Sequence, residues 1–493
     1  MYAPSSQRRN LIVVVAVLTL LFTATYFQYA SYNGVRVDTA TVPVSPAVLP
    51  RPPSPKLPSK PKTPTIQTVC DKVDIAWLAS DRQYWDGWTS KSMFIKPDGN
   101  FTVDDVEITE GETVCVVALL GPVPAASAIQ PETHFGPADS IVTTAVGNST
   151  KISVTLQQHP KQFNAYFAPV YFARADDYRL ESTTEYRSYF WEVPIYHLHR
   201  PVDFSSQNTL RVTKKFVKQS TLPRCDKRQL QQLDGSWVGS ATTTNDLYDA
   251  DVMQNFEFVP DRCHLEEMSS ECFQQKTIHV WGDANMRRNL KAIASKDQWC
   301  NAVDSDECIC NDDGEDVANY PWLMDSQTPL LLDGGKKIYF NPVGSITLSN
   351  QESEIAARAK ALPPADIVIV SFGNDDIPSI RLTPSQFMIS FKALASHLLN
   401  DVYPHQPIVV RTPQYFGRGT LRHTSWNAGR SAAFSTVIQQ TIAGLNSTRV
   451  VLWNTQKLGM ADSTCTSAGT PYSRRDIVSI ENTLLWNLLC SSS

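Results

Sequence analysis

The segment HVWGDANMRRNL, residues 279–290, has the form from which a parallel sheet presents a nucleophile. An apolar run ends in Gly282-Asp283 and passes at once into the start of an amphipathic helix, the kind of turn that holds a hydroxyl at the carboxyl edge of a strand. Ala284 occupies the hydroxyl's place and carries no oxygen. A serine there would need an imidazole to take its proton and a carboxylate to fix the imidazole tautomer. The nine histidines stand at 134, 159, 197, 199, 264, 279, 397, 405 and 423, and none follows His423. His279 lies inside the strand run, where a packed ring is expected, while His423, in an Arg-rich loop, is the free candidate for a base. Ser371 and Ser425 are the hydroxyls that a relocated nucleophile would use, yet neither has a recognisable partner in the sequence.

Other clusters carry less. The acidic run DSDECICNDDGED, residues 304–316, offers the clustered oxygens that calcium takes, but its spacing departs from the EF-hand loop and an exposed, disulfide-closed loop is expected. Cys308-Ile-Cys310 lacks the second close pair of Cys or His that a zinc site requires. No metal and no cofactor is expected. The ten cysteines, at 70, 115, 225, 263, 272, 300, 308, 310, 465 and 490, are even in number and read as disulfides, with Cys70 and Cys115 placed to staple the N-terminal part. A net charge of -5 gives no support for nucleic-acid binding.

Several layers of organisation position these residues. Residues 1–10 form a short polar tail with Arg8 and Arg9, and 11–30 contain no charge and open with LIVVVAVLTLLF, long enough for a membrane-spanning helix. Basic residues before the span keep the tail in the cytosol and the body luminal; a cleaved signal peptide is the alternative, although Tyr26, Phe27 and Tyr29 stand where its cleavage site should be. Residues 31–65 are a stalk, with prolines too closely spaced from Pro43 to Pro64 for a helix or central strand. The sequons at Asn100, Asn148 and Asn446 fit glycosylated luminal loops. The rest is too long for one domain of roughly 100 to 200 residues. Short alternating runs such as ETVCVVALLG, STKISVTLQQ and AYFAPVYFA predict an antiparallel β-sandwich over 66–215. From 216 to 493 apolar runs (TIHVWG, ADIVIVSFG, QPIVVRTP, RVVLW) alternate with helical patterns (SQFMISFKALASHLLNDV, GRSAAFSTVIQQTIAGL), which predicts an α/β domain whose parallel sheet is covered on both faces. Ligands bind such sheets at their carboxyl edge.

The luminal part resembles the PC-esterase group of SGNH-hydrolase-like proteins, closest to the NXPE-like type. The resemblance is carried by CDKRQLQQLDGSWV at Cys225, HVWGDANMRRNLKAI at His279, ADIVIVSFGNDDI at Ala365, RTPQYFGRGTLRHTSWNAGRSAAF at Arg411, VVLWNT at Val450 and PYSRRDIVSIENTLLWNLLC ending at Cys490. It implies an immunoglobulin-like sandwich before a three-layer α/β/α domain, and movement or removal of O-acetyl groups on glycans by a Gly-Asp-Ser nucleophile and a C-terminal Asp-x-x-His pair. Here the serine position is Ala284, the aspartate position Ala468 and the histidine position Pro471. The resemblance also assigns oxyanion donors to the Ala284 amide and the Asn374 side chain, with Gly373 allowing close approach; Asn374 as a plain turn residue is the alternative. Asp283 is expected to cap the helix start. Arg287 and Arg288 are candidates to hold a carboxylated or sulfated sugar, or else a solvated first turn. Trp281, Tyr415, Phe416 and Trp426 are candidates for sugar stacking, or else core aromatics.

The expectation is a single-pass type II Golgi glycoprotein whose α/β domain has lost ester chemistry and binds a glycan or supports a partner glycan-modifying enzyme. An active O-acetyltransferase or acetylesterase using unconventional residues is the alternative, and a structural interaction protein of the secretory pathway is a third reading.

Overall fold

Period-two alternation in the N-terminal half and near-continuous apolar runs in the C-terminal half become, in the computed structural model, two kinds of sheet. The structure describes residues 68–75, 90–121, 139–159, 162, 164–186, 202–215, 222–239, 256–266, 273–296, 327–347, 351–378, 382–415, 427–459 and 475–490. These all belong to one compact unit, Ile66–Ser493. The apolar stretch 11–30, the stalk, the acidic run, Phe416, His423, Ser425, Trp426, Ala468 and Pro471 lie outside the described residues. Among the described residues, no helix is long and apolar enough to cross a membrane.

The N-terminal strands are β1 (Lys91–Phe94), β2 (Val106–Thr109), β3 (Glu112–Leu119), β4 (Ser140–Val146), β5 (Thr150–Val154), β6 (Gln157–Gln158), β7 (Ala165–Phe172), β8 (Asp176–Tyr186), β9 (Val202–Ser205) and β10 (Leu210–Thr213). One antiparallel sheet runs β1-β3-β7-β6, and a larger one contains β5-β4-β8-β10-β2, with β9 against β8. Their facing side chains share one core, in which Phe94, Val116, Ala168 and Phe172 of the first sheet meet Ile108, Ala145, Ile152, Tyr178 and Leu180 of the second. On the first sheet's other face the alternate residues Cys115, Val117 and Leu119 pack against Cys70 and Val73, and the Cys70–Cys115 disulfide fixes that contact. Residues 73–75 are held there outside any strand.

Next come α1 (Lys227–Gln232), β11 (Gly235–Gly239) and β12 (Phe256–Pro260). Asp226 caps α1 by accepting from the Gln229 amide at 2.7 Å while the Gln229 side chain accepts from the Asp226 amide at 2.9 Å. Both strands lie beyond residue 215, yet they complete the larger sheet: β11 pairs with β5, Trp237 opposite Lys151, and β12 pairs with β11. A second disulfide joins Cys225 to Cys263.

The remaining elements are β13 (Thr277–Gly282), α2 (Ala284–Ser295), β14 (Leu330–Leu332), β15 (Lys336–Pro342), α3 (Gln351–Ala361), β16 (Ile367–Ser371), α4 (Pro384–His397), β17 (Ile408–Arg411), α5 (Ala428–Leu445), β18 (Val450–Trp453) and α6 (Arg475–Cys490). The sheet order is β14-β15-β13-β16-β17-β18. β14 is antiparallel to β15 and all other pairs are parallel. Alternation sorts the strand side chains between two cores. Val280, Ile369, Val409 and Trp453 pack with Met286 and Leu290 of α2 and Leu484, Leu485 and Leu488 of α6. Trp281, Val368, Val370 and Val410 pack with Ile355 of α3, Phe387 and Phe391 of α4, and Phe434 and Ile438 of α5. The fold is therefore mixed α/β, and its parallel sheet has helices on both faces.

Candidate functional site

Counted along the chain, the five parallel strands lie in the order 2-1-3-4-5, so the connections after β13 and β16 leave the sheet on opposite sides and a crevice forms between them at the carboxyl edge. The last residues of the strands form one row across that edge: Pro342, Gly282, Ser371, Arg411 and Trp453. At Gly282 a Cβ would lie 2.8 Å from Met286 Cβ and 3.1 Å from Ser371 Cβ, so a side chain there would push α2 off the strand. Asp283 is buried and caps α2, its Oδ1 accepting from the Met286 amide at 3.1 Å. Ala284 follows as the first residue of α2, half-buried at the crevice. What the turn presents at the crevice is the methyl of Ala284.

On the other side of the crevice, Gly373 has φ +107°, and a Cβ there would meet Pro413 Cγ at 3.0 Å and Phe387 Cζ at 3.1 Å. Glycine alone accepts both the backbone angle and the contact. Buried Asn374 accepts from the Gln414 amide at 3.0 Å through its Oδ1, which ties the loop after β16 to the loop after β17. Asp376 does the same toward the loop after β15, accepting from the Ile346 amide at 3.2 Å and from Thr347 Oγ1 at 3.0 Å, and also from Ser345. Asp375 is the exposed member of this loop. Loss of hydration raises the pKa of the two buried carboxyls nearby, Asp283 and Asp376. For Asp283 the Arg411 charge and hydrogen bonds from Met286, Asn374 and Asn285 oppose that rise.

Behind the crevice Arg411 is fully buried over the Trp453 ring, 5.2 Å from its centroid. Its Nη2 donates to Glu481 Oε2 of α6 at 2.7 Å, and Asn289 Nδ2 of α2 donates to the same oxygen at 3.0 Å. Asn482 Oδ1 also accepts from Asn289 Nδ2, at 3.0 Å. This buried network locks α2 and α6 together beneath the turn that carries Ala284. Arg411 was visible in sequence as a charge closing the apolar run QPIVVR, and Glu481 as one inside a helical apolar pattern; nothing in either pattern pairs them.

The structure separates the other sequence candidates. Arg287 is half-buried on the first turn of α2, whereas Arg288 is fully buried and so offers nothing to a sugar arriving from solvent. Trp281 is buried and donates its indole N–H to the Tyr403 hydroxyl at 2.9 Å. Tyr415 is buried too, and a Cβ at Gly459 would fall 1.9 Å from its own Cβ. Both are core aromatics and not stacking platforms. His279 is a packed strand residue whose ring bonds Tyr403 Oη and the Pro363 carbonyl, each at 2.9 Å, with its pKa driven down to about 4 by burial. Ser371 is buried within the edge row. Among the described residues, no histidine belongs to a loop that follows a parallel strand. Asn100 and Asn148 are exposed, and Asn446 is the left-handed C-cap of α5 with φ 47°.

No protein-family profile and no curated protein matches this chain. Solved structures do. The acetyl xylan esterase AlAXEase is 13% identical with a TM-score of 0.27, over 44% of this chain and 98% of its own. A putative arylesterase from Agrobacterium tumefaciens str. C58 is 11% identical with a TM-score of 0.29, over 43% of this chain and 96% of its own. A family two carbohydrate esterase from Clostridium thermocellum in complex with cellohexaose is 9% identical with a TM-score of 0.27, over 77% of this chain and 91% of its own. Likeness at this level says nothing about chemistry or ligand.

Proposed function

We propose that the protein is an SGNH-like member of the PC-esterase/NXPE-like group that binds a glycan without turning it over. The same proposal makes it a type II glycoprotein of the Golgi membrane, anchored by residues 11–30, its body luminal and able to support a partner glycan-modifying enzyme. One observation carries the reading: Ala284 sits at the first position of α2, in the crevice where the 2-1-3-4-5 sheet opens, with no oxygen to attack an acyl carbon. The surrounding frame of Gly282, Asp283, Gly373 and Asn374 is intact and braced by hydrogen bonds on both sides. A pocket that keeps its shape can bind without reacting.

The test is twofold. The purified protein is assayed on aryl acetates and on acetylated polysaccharide, with acetyl-CoA as a donor, and no turnover above a denatured control is expected, because losing a working triad removes about three to six orders of magnitude in rate. Turnover abolished by one crevice substitution would mean an active enzyme with unconventional residues. A glycan array with the wild type, Asn374→Ala and Arg287→Ala should show binding that the variants weaken by about 5- to 150-fold, the loss of one or two hydrogen bonds at roughly 1 to 3 kcal/mol. The triple variant Ala284→Ser, Ala468→Asp, Pro471→His asks whether the chemistry returns. Absence of any glycan binding leaves the structural role.

A further inference from the structure

Glu185, near the end of β8, is a buried carboxyl at the seam between the larger N-terminal sheet and α5. Its Oε2 accepts from the Ala428 amide, the first residue of α5, at 2.8 Å, and from Ser140 Oγ of β4 at 2.6 Å. Ser140 Oγ in turn accepts from the Gly429 amide at 2.8 Å. The first turn of α5 is thus held by two strands of the sheet. Among the described residues, the groups that face this contact bring no cation. Asp139 and Tyr166 bond each other at 3.0 Å, and Tyr415 is a buried phenol whose ionisation the Glu185 charge opposes. Arg430, on the same helix, points elsewhere, its Nε to the Ile377 carbonyl at 2.7 Å and its Nη2 to the Leu382 carbonyl at 3.1 Å. Asp139, Tyr166, Tyr415, Ala428 and Gly429 also line a cavity of about 40 Å3, space for water beside the seam.

We infer that Glu185 is an acid-closed latch: it takes up one proton from solvent when the first turn of α5 docks on the sheet, and gives the proton up when the seam opens. With the proton on Oε1, Oε2 remains the acceptor of both hydrogen bonds and no net charge is buried. Without it, a carboxylate lies buried with only neutral donors, the Ala428 amide and Ser140 Oγ, among the described residues, and hydrating it requires the seam to part. Burial accordingly raises the Glu185 carboxyl from 4.5 to about 7, against the pull of its Ser140 and Ala428 bonds. The sign follows from linkage. The docked state holds a proton that the open state releases, so docking is fully favoured below the open-state value of about 4.5, weakens as pH rises to about 7, and changes no further above it. The latch reaches the crevice by a short route: Tyr415 packs against Ala428, the first residue of α5, and the amide of the preceding Gln414 is the donor that braces Asn374.

Hydrogen exchange of the full-length protein, followed by mass spectrometry from about pH 5 to about pH 8 and corrected for intrinsic rates, reads the latch directly in the peptide spanning residues 427–434. Its protection should fall by up to about tenfold per pH unit below about pH 7 and level off above. Glu185→Gln keeps the acceptor and cannot ionise, so its peptide should be protected and independent of pH. Ser140→Ala should lower protection while the slope remains, which keeps the test open if Glu185→Ala does not fold. A flat wild-type profile, or a slope that survives in Glu185→Gln, overturns the proposal.

Discussion

A buried charge announces its partner by what happens when that partner is removed. Glu481→Gln would leave the Arg411 guanidinium buried against a neutral amide, and the protein should lose about 3 to 5 kcal/mol in urea unfolding. Replacing both groups by apolar residues of similar volume, Arg411→Met with Glu481→Leu, should recover most of that loss, and failure to recover it would mean that the pair also holds the turn at Ala284 in place. His279 tests burial in the opposite sense from Glu185. Its folded pKa of about 4 lies below the ordinary 6.5, so the folded state resists protonation, and stability present above about 6.5 is lost as pH falls toward 4. His279→Gln should remove that part of the acid sensitivity, measured as the melting temperature between about pH 7 and about pH 4. The turn at Ala284 and the glycine at 373 could be read from the sequence because each rests on one or two residues with a strong local signal. Partners such as Glu481, far along the chain, could not, since an apolar pattern gives the face a residue occupies and not what meets it there.

At the scale of elements, patterns with a strong period were legible. TIHVWG is β13, and the helical pattern starting at Ser385 is α4, opened by the Thr383 cap and Pro384. The run from Gly429 is α5, opened by Asn427, whose Oδ1 accepts from the Arg430 amide at 2.9 Å. β15 escaped because its apolar residues are few and two lysines begin it, and β14 because three leucines carry no period. β15 nevertheless sets the order of the sheet, so the crevice was legible as a location and not as a geometry. Phe434 on α5 is fully buried among the residues that cover one face of the sheet. Phe434→Ala should cost about 3 to 5 kcal/mol, measured by chemical denaturation, with the size of the loss reporting how far α4 and α5 close over the gap. Removing the α1 cap with Asp226→Ala should cost only about 1 kcal/mol, since it frees one amide on a short exposed helix.

At the scale of the molecule, the staple Cys70–Cys115 spans a sequence separation of 45, and its removal by Cys70→Ser with Cys115→Ser should cost about 4 kcal/mol by the loop-entropy estimate, measured by unfolding under oxidising conditions. Protease treatment of sealed microsomes tests the proposed topology. A protected body with occupied sequons at Asn100, Asn148 and Asn446 is expected, and a digested body would reverse it. The strands β11 and β12 bear on a different matter, the history of the gene. Because they are encoded beyond residue 215 but hydrogen-bond to β5, a break at that point yields two products that are both incomplete: one with a bare strand edge, the other with two strands and no sheet to join. Recombination that trades one module for another needs a joint where few contacts cross. This chain offers none there, so relatives that carry the N-terminal sheets alone should extend through the counterparts of Gly235–Gly239 and Phe256–Pro260 rather than end at residue 215.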